Sequence, residues 1–538
     1  NLFFHLPIFV SPILLSAVQL LPTLELFVNS TRSPYTVDAF LKLLIPKFHI
    51  VTAFVPDFFG NPATRNYWLT GTYIERVSYI GVVPLFFAIF GFLQKRTALT
   101  WFFVGSLVVI FVLVFDTPLT RALYGLYMPP ILSTGVPSRI MYLFCFAGSV
   151  LAAFGFNSFE KQKSTRMLLG AIAIVGFIYL TLWLFVFIAP HVLQEEWLAN
   201  LAVSKRNLIL PTGMIVLLFL LIAAGHRLSF VRKYLFVLIF GLTVFELFYF
   251  FHKITPFSPK EAVYPETEAL THLRAIQGYD RSWGYGSAYI EANIQTHEKL
   301  YMPHGYDALH IQRYGELLTA SYNGRLNTPP RSEADIAPGF GVSALRENPY
   351  RQRILNLLGV KYLLHKISPS DKVTADYETF PKEIYTLIWQ KGSWQIYENK
   401  ESLPRVMLFT KYLVETDKNA LIAMLMDEKF DIFKAVVLEE QPDQNLDLEE
   451  DNQGDAVIIR YTPNRVVIKT QSDSDGLLFL SDTYFPGWKV SIDGRNDKIY
   501  RANYTFRAVP VPKGEHEVIF WYQPKSFDVG VKVSIISA

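Results

Sequence analysis

The sequence predicts a polytopic α-helical membrane domain followed by an external mixed α/β subdomain and a C-terminal antiparallel β-sandwich. Three observations predict it. The 538-residue chain is 51% hydrophobic and only 18% charged, too apolar for ordinary soluble domains. Its charge is unevenly split, with 17 basic and 9 acidic residues in 1–252 against 33 and 38 in 253–538. Several apolar runs of 17 to 24 residues fall in the first part, and the second holds none until its very end. Each is long enough to cross roughly 30 Å of hydrocarbon.

The predicted spans are 2–27, 77–93, 98–115, 140–156, 167–190, 207–224 and 234–251, which makes 1–252 the membrane domain. The chain opens at Asn1 and is already apolar at Leu2, with no basic region before the run, so it reads as N-terminally truncated inside a membrane helix rather than as a signal peptide. Three short connections are basic: Lys95 and Arg96; Lys161, Lys163 and Arg166; and Arg227, Arg232 and Lys233. The positive-inside rule puts them on the cytoplasmic side. Alternation then puts 28–76, 116–139, 191–206 and everything after 252 on the external face. The expected location is the cell membrane, multi-pass, with the large domain outside and the lipid bilayer as one partner. Residues 39–55 and 119–135 are apolar but broken by Pro and charge, as expected of interfacial or re-entrant segments roofing a membrane cavity.

In the aqueous part, 265–277 and 350–358 read as helices and 360–364 as a strand, predicting a mixed α/β subdomain over 253–403. From 404 to 525 the pattern is mostly strand. Runs at 455–461, 465–470, 476–481, 487–493, 505–511 and 516–523 predict a sandwich, with Gly487, Gly494 and Gly514 in turns or bulges. Residues 526–538 turn apolar again, as at the start of another membrane helix.

Several classes are excluded. One cysteine, Cys145, rules out an intrachain disulfide or a Cys-pair zinc site. No basic stripe with interleaved aromatics marks a nucleic-acid surface, and no nucleotide-binding loop, Gly-x-Ser-x-Gly or His-Glu-x-x-His run is present.

The runs FFGNPATRNYW (58–68), YIERVSYIGVVPLF (73–86), VPSR (136–139) and LGVKYLL (358–364) carry a resemblance, and above all YFPGWKVSIDG (484–494) and ANYTFRAVPVPKGEHEVIFWYQPKSF (502–527) do. In these the chain resembles the bacterial YfhO membrane protein family. That family is similar to the GT-C superfamily of multi-span glycosyltransferases. The resemblance implies a GT-C-like membrane domain that moves a sugar from a polyprenyl-phosphate carrier to an external cell-wall or envelope glycan acceptor such as a teichoic acid. It also implies an acidic catalytic residue in the first external loop, expected in the missing N-terminal part of this chain.

That chemistry needs a carboxylate for the acceptor and cations for the departing phosphate, at headgroup depth. Asp57 and Glu75 are the candidate catalytic carboxylates, although Glu75 equally suits a helix start. Arg139, Arg76 and Arg65 are the candidate donor-phosphate ligands. Arg139 leads because it begins a span after a Pro-Ser turn. Glu246 lies within an apolar run near its external end, where snorkelling to the interface is the simpler reading. His304, Asp307, His310 and Arg313 recur every three residues, as on one helix face, and His304, Asp307 and Arg313 are candidate acceptor contacts together with Trp488. A sandwich core residue is the default reading of Trp488. No metal site and no cofactor are indicated, although a divalent metal fits the chemistry. Two other functions fit the layout: a transporter or flippase of lipid-linked sugars, and a non-enzymatic glycan-binding assembly protein.

Overall fold

The computed structural model describes the chain except for residues 1–9, 95, 130–131, 162–164, 192–197, 256, 338–347, 368–379, 445 and 447–453. The chain forms two compact units, Pro34–Pro259 and a second built from Asn1–Ser33 with Lys260–Ala538.

In the first unit, Pro137–Glu160, Thr165–His191, Leu198–Arg227 and Ser229–Ile254 are long and apolar enough to cross a membrane. The shorter apolar helices Val82–Gln94 and Ala98–Val114 pack with them. An α-helix satisfies its own backbone, which is why uninterrupted apolar sequence in lipid takes this form. Large apolar side chains point outward, with Phe102 63% exposed and Phe248 70% exposed, as a hydrocarbon solvent allows.

Inside the bundle, small residues set the closest approach. Where Val82–Gln94 meets the helix from Met141, a Cβ on Gly155 would stand 1.8 Å from the Phe87 carbonyl oxygen, and one on Gly91 would stand 2.7 Å from the Gly155 nitrogen. Glycine is therefore required for the two backbones to touch. Gly155→Ala is expected to push the helices apart at a cost of about 1–3 kcal/mol, whereas Gly105→Ala enters open space. Thermal unfolding in detergent checks this, and equal melting temperatures for the two variants would refute it.

The predicted interfacial helix over 39–55 is not one element. It divides into a helix at Val37–Leu41, a two-residue strand at Ile45–Pro46 and a 3-10 helix at Lys47–Ala53. Pro46 is the physical reason, since it has no N–H to continue a helix. Its strand pairs in parallel with Phe115–Asp116. The second loop forms a helix at Pro118–Leu126 with Thr117 as its cap, and Tyr124 packs edge-on to Phe40 at 4.9 Å.

The second unit holds the mixed α/β part and the sandwich. Thr267 caps the helix Glu268–Gln277 by accepting from Leu270 N, and Gly278 at φ 54° ends it. The α/β sheet runs Arg281–Gly284, Val360–Lys366, Trp394–Asn399, Tyr385–Lys391, with the first pair parallel and the others antiparallel. The sandwich pairs a six-stranded with a five-stranded sheet. In Gly476–Leu480, every residue is buried, because the strand has a core on each face. Leu478 and Leu480 face Val466, Ile468, Val518 and Phe520 of the partner sheet, while Leu477 and Phe479 join a core with Leu421 and Leu425 of the helix Lys418–Met426. This alternation is the period of two expected of a strand. One pair, Tyr412–Val414 with Val436–Leu438, is parallel, and the helix between them makes the crossover that a parallel pair needs. Gly487 and Gly494 sit in turns with φ of 99° and 81°, and Gly514 opens a strand with φ of 116°. The tail forms a helix, Lys525–Ser537, against Ala17–Val28, and the Ser526 hydroxyl donates to Glu25.

Candidate functional site

Asp57 follows the 3-10 helix Lys47–Ala53 and is 7% exposed. A carboxylate withdrawn from water needs partners. Asn61 Nδ2 donates to its Oδ1 at 2.9 Å, the Tyr73 hydroxyl donates to the same oxygen at 2.6 Å, and Lys253 Nζ lies 3.0 Å from Oδ2. Local sequence sets this up. Asn61 caps the turn Pro62–Thr64 through its Oδ1, which turns its amide nitrogen toward Asp57. Gly60 has φ 83°, and a Cβ there would meet the Asn66 carbonyl oxygen at 1.9 Å. Burial, then the neighbouring Asp57 carboxylate, pushes the Tyr73 hydroxyl above its ordinary range, so it remains a donor.

The other partners come from distant helices. Lys253 is in the last turn of Ser229–Ile254, where a cation is favoured, and its Nζ lies 4.5 Å from the Tyr249 ring centroid. Asn207 Nδ2 donates to the Asp57 carbonyl oxygen at 2.6 Å. Pro211, four residues on, offers no N–H to the Asn207 carbonyl, so the regular helix hydrogen bond is missing beside the site.

Glu246 lies two turns before Lys253 on the same helix face. It does not snorkel outward: it is 4% exposed, and its carboxylate accepts the N–H of Val82 at 2.6 Å, the N–H of Val83 at 3.3 Å and the Tyr79 hydroxyl. The free donors and positive dipole at the start of Val82–Gln94 hold it inward. Asp57, Lys253, Glu246, Tyr79, Arg206 and Asn207 all line one cavity of about 550 Å³. This arrangement offers a carboxylate able to take a proton and cations able to hold an anion, within an apolar wall that strengthens both.

Of the membrane-boundary candidates, Asp57 lines this cavity. Arg139 does not. It pairs with Glu75 at 3.2 Å, with side-chain exposures of 65% and 31%, so these two residues satisfy each other elsewhere. Arg76 donates to the Thr70 carbonyl oxygen. Arg65 is exposed at a left-handed turn position, φ 53°.

The segment 301–314 is not one helix. Gly305–Tyr306 is a strand, and the helix begins at Gln312, so the spacing of three does not bring the four side chains onto one face. His304 is buried with Nε2 2.8 Å from the Ile290 carbonyl oxygen. Asp307 closes its own turn by accepting from Leu309 N at 2.7 Å, and His310 Nδ1 lies 3.2 Å from the Asp307 carbonyl oxygen. Arg313 pairs with Glu439 and stacks on Tyr504. Trp488 is half-buried and lines a groove of the second unit. Among the described residues, no three His, Cys, Asp or Glu side chains converge as a metal site.

Sequence reasoning missed Lys253, Arg206, Asn207, Asn61 and Tyr73. One signal pointed to Lys253: it follows Glu246 by seven residues, which is the same face of one helix.

Among known proteins, the family described as "Bacterial membrane protein YfhO" matches residues 8–277 and 448–534, about two thirds of the chain. A relative from Bacillus subtilis (strain 168), described as "Uncharacterized protein YfhO", is 27% identical over 79 residues. That stretch is 15% of this chain and 9% of the relative. No solved structure matches. The membrane-length helices, the strand-rich C-terminal part and the family match agree, and the chain belongs to the bacterial membrane protein YfhO family.

Proposed function

We propose that this protein is a membrane glycosyltransferase that moves a sugar from a polyprenyl-phosphate carrier to a cell-wall or envelope glycan, such as a teichoic acid, on the external face of the cell membrane. The observation that carries the reading is the ion pair between buried Asp57 and half-buried Lys253 on a cavity walled by apolar helices. A polyprenyl chain stays in hydrocarbon while its phosphate sits at headgroup depth, so donor chemistry belongs at such a boundary. In this reading Asp57 takes the proton of the attacking acceptor hydroxyl, the new glycosidic bond forms as the sugar–phosphate bond breaks, and Lys253 and Arg206 hold the departing phosphate. Tyr73 and Asn61 keep the carboxylate aimed.

Full-length protein reconstituted in liposomes with a radiolabelled polyprenyl-phosphate sugar and isolated wall polymer tests this. Protein-dependent label in the polymer is expected. The same buried charges would serve a flippase, and donor crossing the bilayer without label in the polymer would favour that function and overturn this one.

The external placement rests on the basic connections, including Arg96, Lys161, Arg166, Arg227, Arg232 and Lys233. In a Cys145→Ala background, Lys513→Cys is expected to react with an impermeant maleimide in intact cells, and Arg96→Cys only after lysis. Both positions are exposed. The opposite pattern would invert the topology.

A further inference from the structure

The groove of the second unit that Trp488 lines encloses about 580 Å³. Three arginines reach it from three different strands or strand edges, and one carboxylate pairs with two of them. Asp482 takes Arg405 at 2.9 Å and Arg281 at 3.2 Å, and the Tyr461 hydroxyl donates to its other oxygen at 2.9 Å. Among the described residues, no carboxylate forms an ion pair with Arg507, although Asp482 lies near enough to act on it through space. Its Nε and Nη2 both donate to the Thr483 carbonyl oxygen, at 3.0 and 2.8 Å, and among the described residues nothing accepts from Nη1. The residue is 4% exposed, and burial pulls its guanidinium down to about 10, as expected of a buried cation short of negative charge.

A second buried group in the same groove also lacks a partner. Gln295 is 7% exposed, its Nε2 donates to the His304 carbonyl oxygen, and its Oε1 accepts from nothing among the described residues. An unanswered cationic donor and an unanswered neutral acceptor ask for different things: an anion and a hydroxyl. The remaining wall is aromatic. Arg507 Cζ stacks 3.7 Å from the Trp488 ring centroid, Tyr522 is 5.5 Å from Trp488, and Phe485 completes the surface. A bare inorganic anion has no use for that wall, whereas the C–H face of a sugar ring packs on it.

We propose that this groove binds a saccharide carrying a phosphate or carboxylate group, with the anion on Arg507 Nη1, a ring hydroxyl on Gln295 Oε1 and the ring against Trp488 and Tyr522. A planar guanidinium already held on one edge by Thr483 presents its other edge in fixed orientation, so little entropy is lost when the anion arrives. The site is independent of the transfer chemistry proposed above.

Isothermal titration of the full-length protein in a neutral detergent tests it, with glucose 1-phosphate, glucuronate, methyl glucoside and inorganic phosphate as probes. At least one sugar anion is expected to bind saturably and at least tenfold more tightly than methyl glucoside, and the tighter of the two identifies phosphate or carboxylate as the recognised group. Arg507→Gln is expected to weaken it at least tenfold. Trp488→Leu, which keeps every charged residue but removes the ring stacked on Arg507, is expected to weaken the sugar anion towards the affinity of inorganic phosphate. No saturable binding of either sugar anion, or unchanged affinity in Trp488→Leu, would overturn the proposal. So would inorganic phosphate binding as tightly as the sugar anions.

Discussion

Asp57→Asn is expected to abolish sugar transfer, lowering the rate by about 10²–10⁴-fold, the usual worth of a positioned general base. The amide keeps the shape of the carboxylate and can still accept from Tyr73, but it cannot take a proton. The same change leaves the Lys253 ammonium, 27% exposed at the side chain, without its counter-ion. Breaking a buried pair by removing one partner costs about 3–5 kcal/mol where burial is complete, and less at this partly wetted lysine. Loss of activity in the single variant could therefore reflect loss of fold. The double variant Asp57→Asn/Lys253→Met removes both charges and is expected to recover most of the lost stability without recovering transfer. Transfer that returns in the double variant would show that Asp57 serves the fold rather than the chemistry.

The membrane helices were legible because apolar run length is a local property. The runs expected at 140–156, 167–190, 207–224 and 234–251 fall within the four membrane-length helices, whereas the run expected at 98–115 forms the shorter helix Ala98–Val114. The sandwich was legible for a similar reason. Alternation within a strand and a glycine after Pro512-Lys513 are readable from neighbours alone, and Gly514 indeed opens the strand Gly514–Tyr522.

The site was legible only in part. Asp57 was visible as an acidic residue at a span boundary, but its partners Asn207 and Lys253 stand 150 and 196 positions away along the chain. No local pattern records that pairing. Periodicity misled at 301–314, because Pro303 and the strand at Gly305–Tyr306 break the helix that the spacing of three assumed. Arg139 had the right address in the sequence and the wrong neighbour in space, since Glu75 claims it. Arg281, Arg405 and Arg507 carried no signal at all, each being an ordinary strand-edge arginine until the sheets close around Asp482.

Asp482→Asn is expected to cost more stability than any other single change in the second unit. Asp482 is 6% exposed and is the carboxylate that answers Arg281 and Arg405, while Tyr461 also donates to it. The asparagine would keep a hydrogen-bond acceptor but no charge, leaving the Arg281 and Arg405 guanidiniums without their counter-ion beside Arg507. A loss of about 3–5 kcal/mol follows from uncompensated burial, with a fall in melting temperature on the order of 10 °C.

The pH dependence gives a second reading of the same cluster. Burial alone would raise the Asp482 pKa, but Arg405 and Arg281 outweigh it and hold the carboxyl below its usual range. A depressed folded-state pKa means that the unfolded chain takes up the proton first as the solution is acidified. The stabilisation is therefore complete above the unfolded value of about 3.9 and is lost as pH falls through the folded value. The wild type is expected to lose stability steeply across that acid window and Asp482→Asn less steeply, so that their melting temperatures converge. Arg405→Met/Asp482→Asn removes opposite charges together and is expected to be less destabilised than the two single changes combined. Melting curves of the four proteins from about pH 2 to 7 measure both effects. Parallel pH profiles for wild type and Asp482→Asn, or strict additivity in the double variant, would mean that the carboxylate is not what holds these arginines in place.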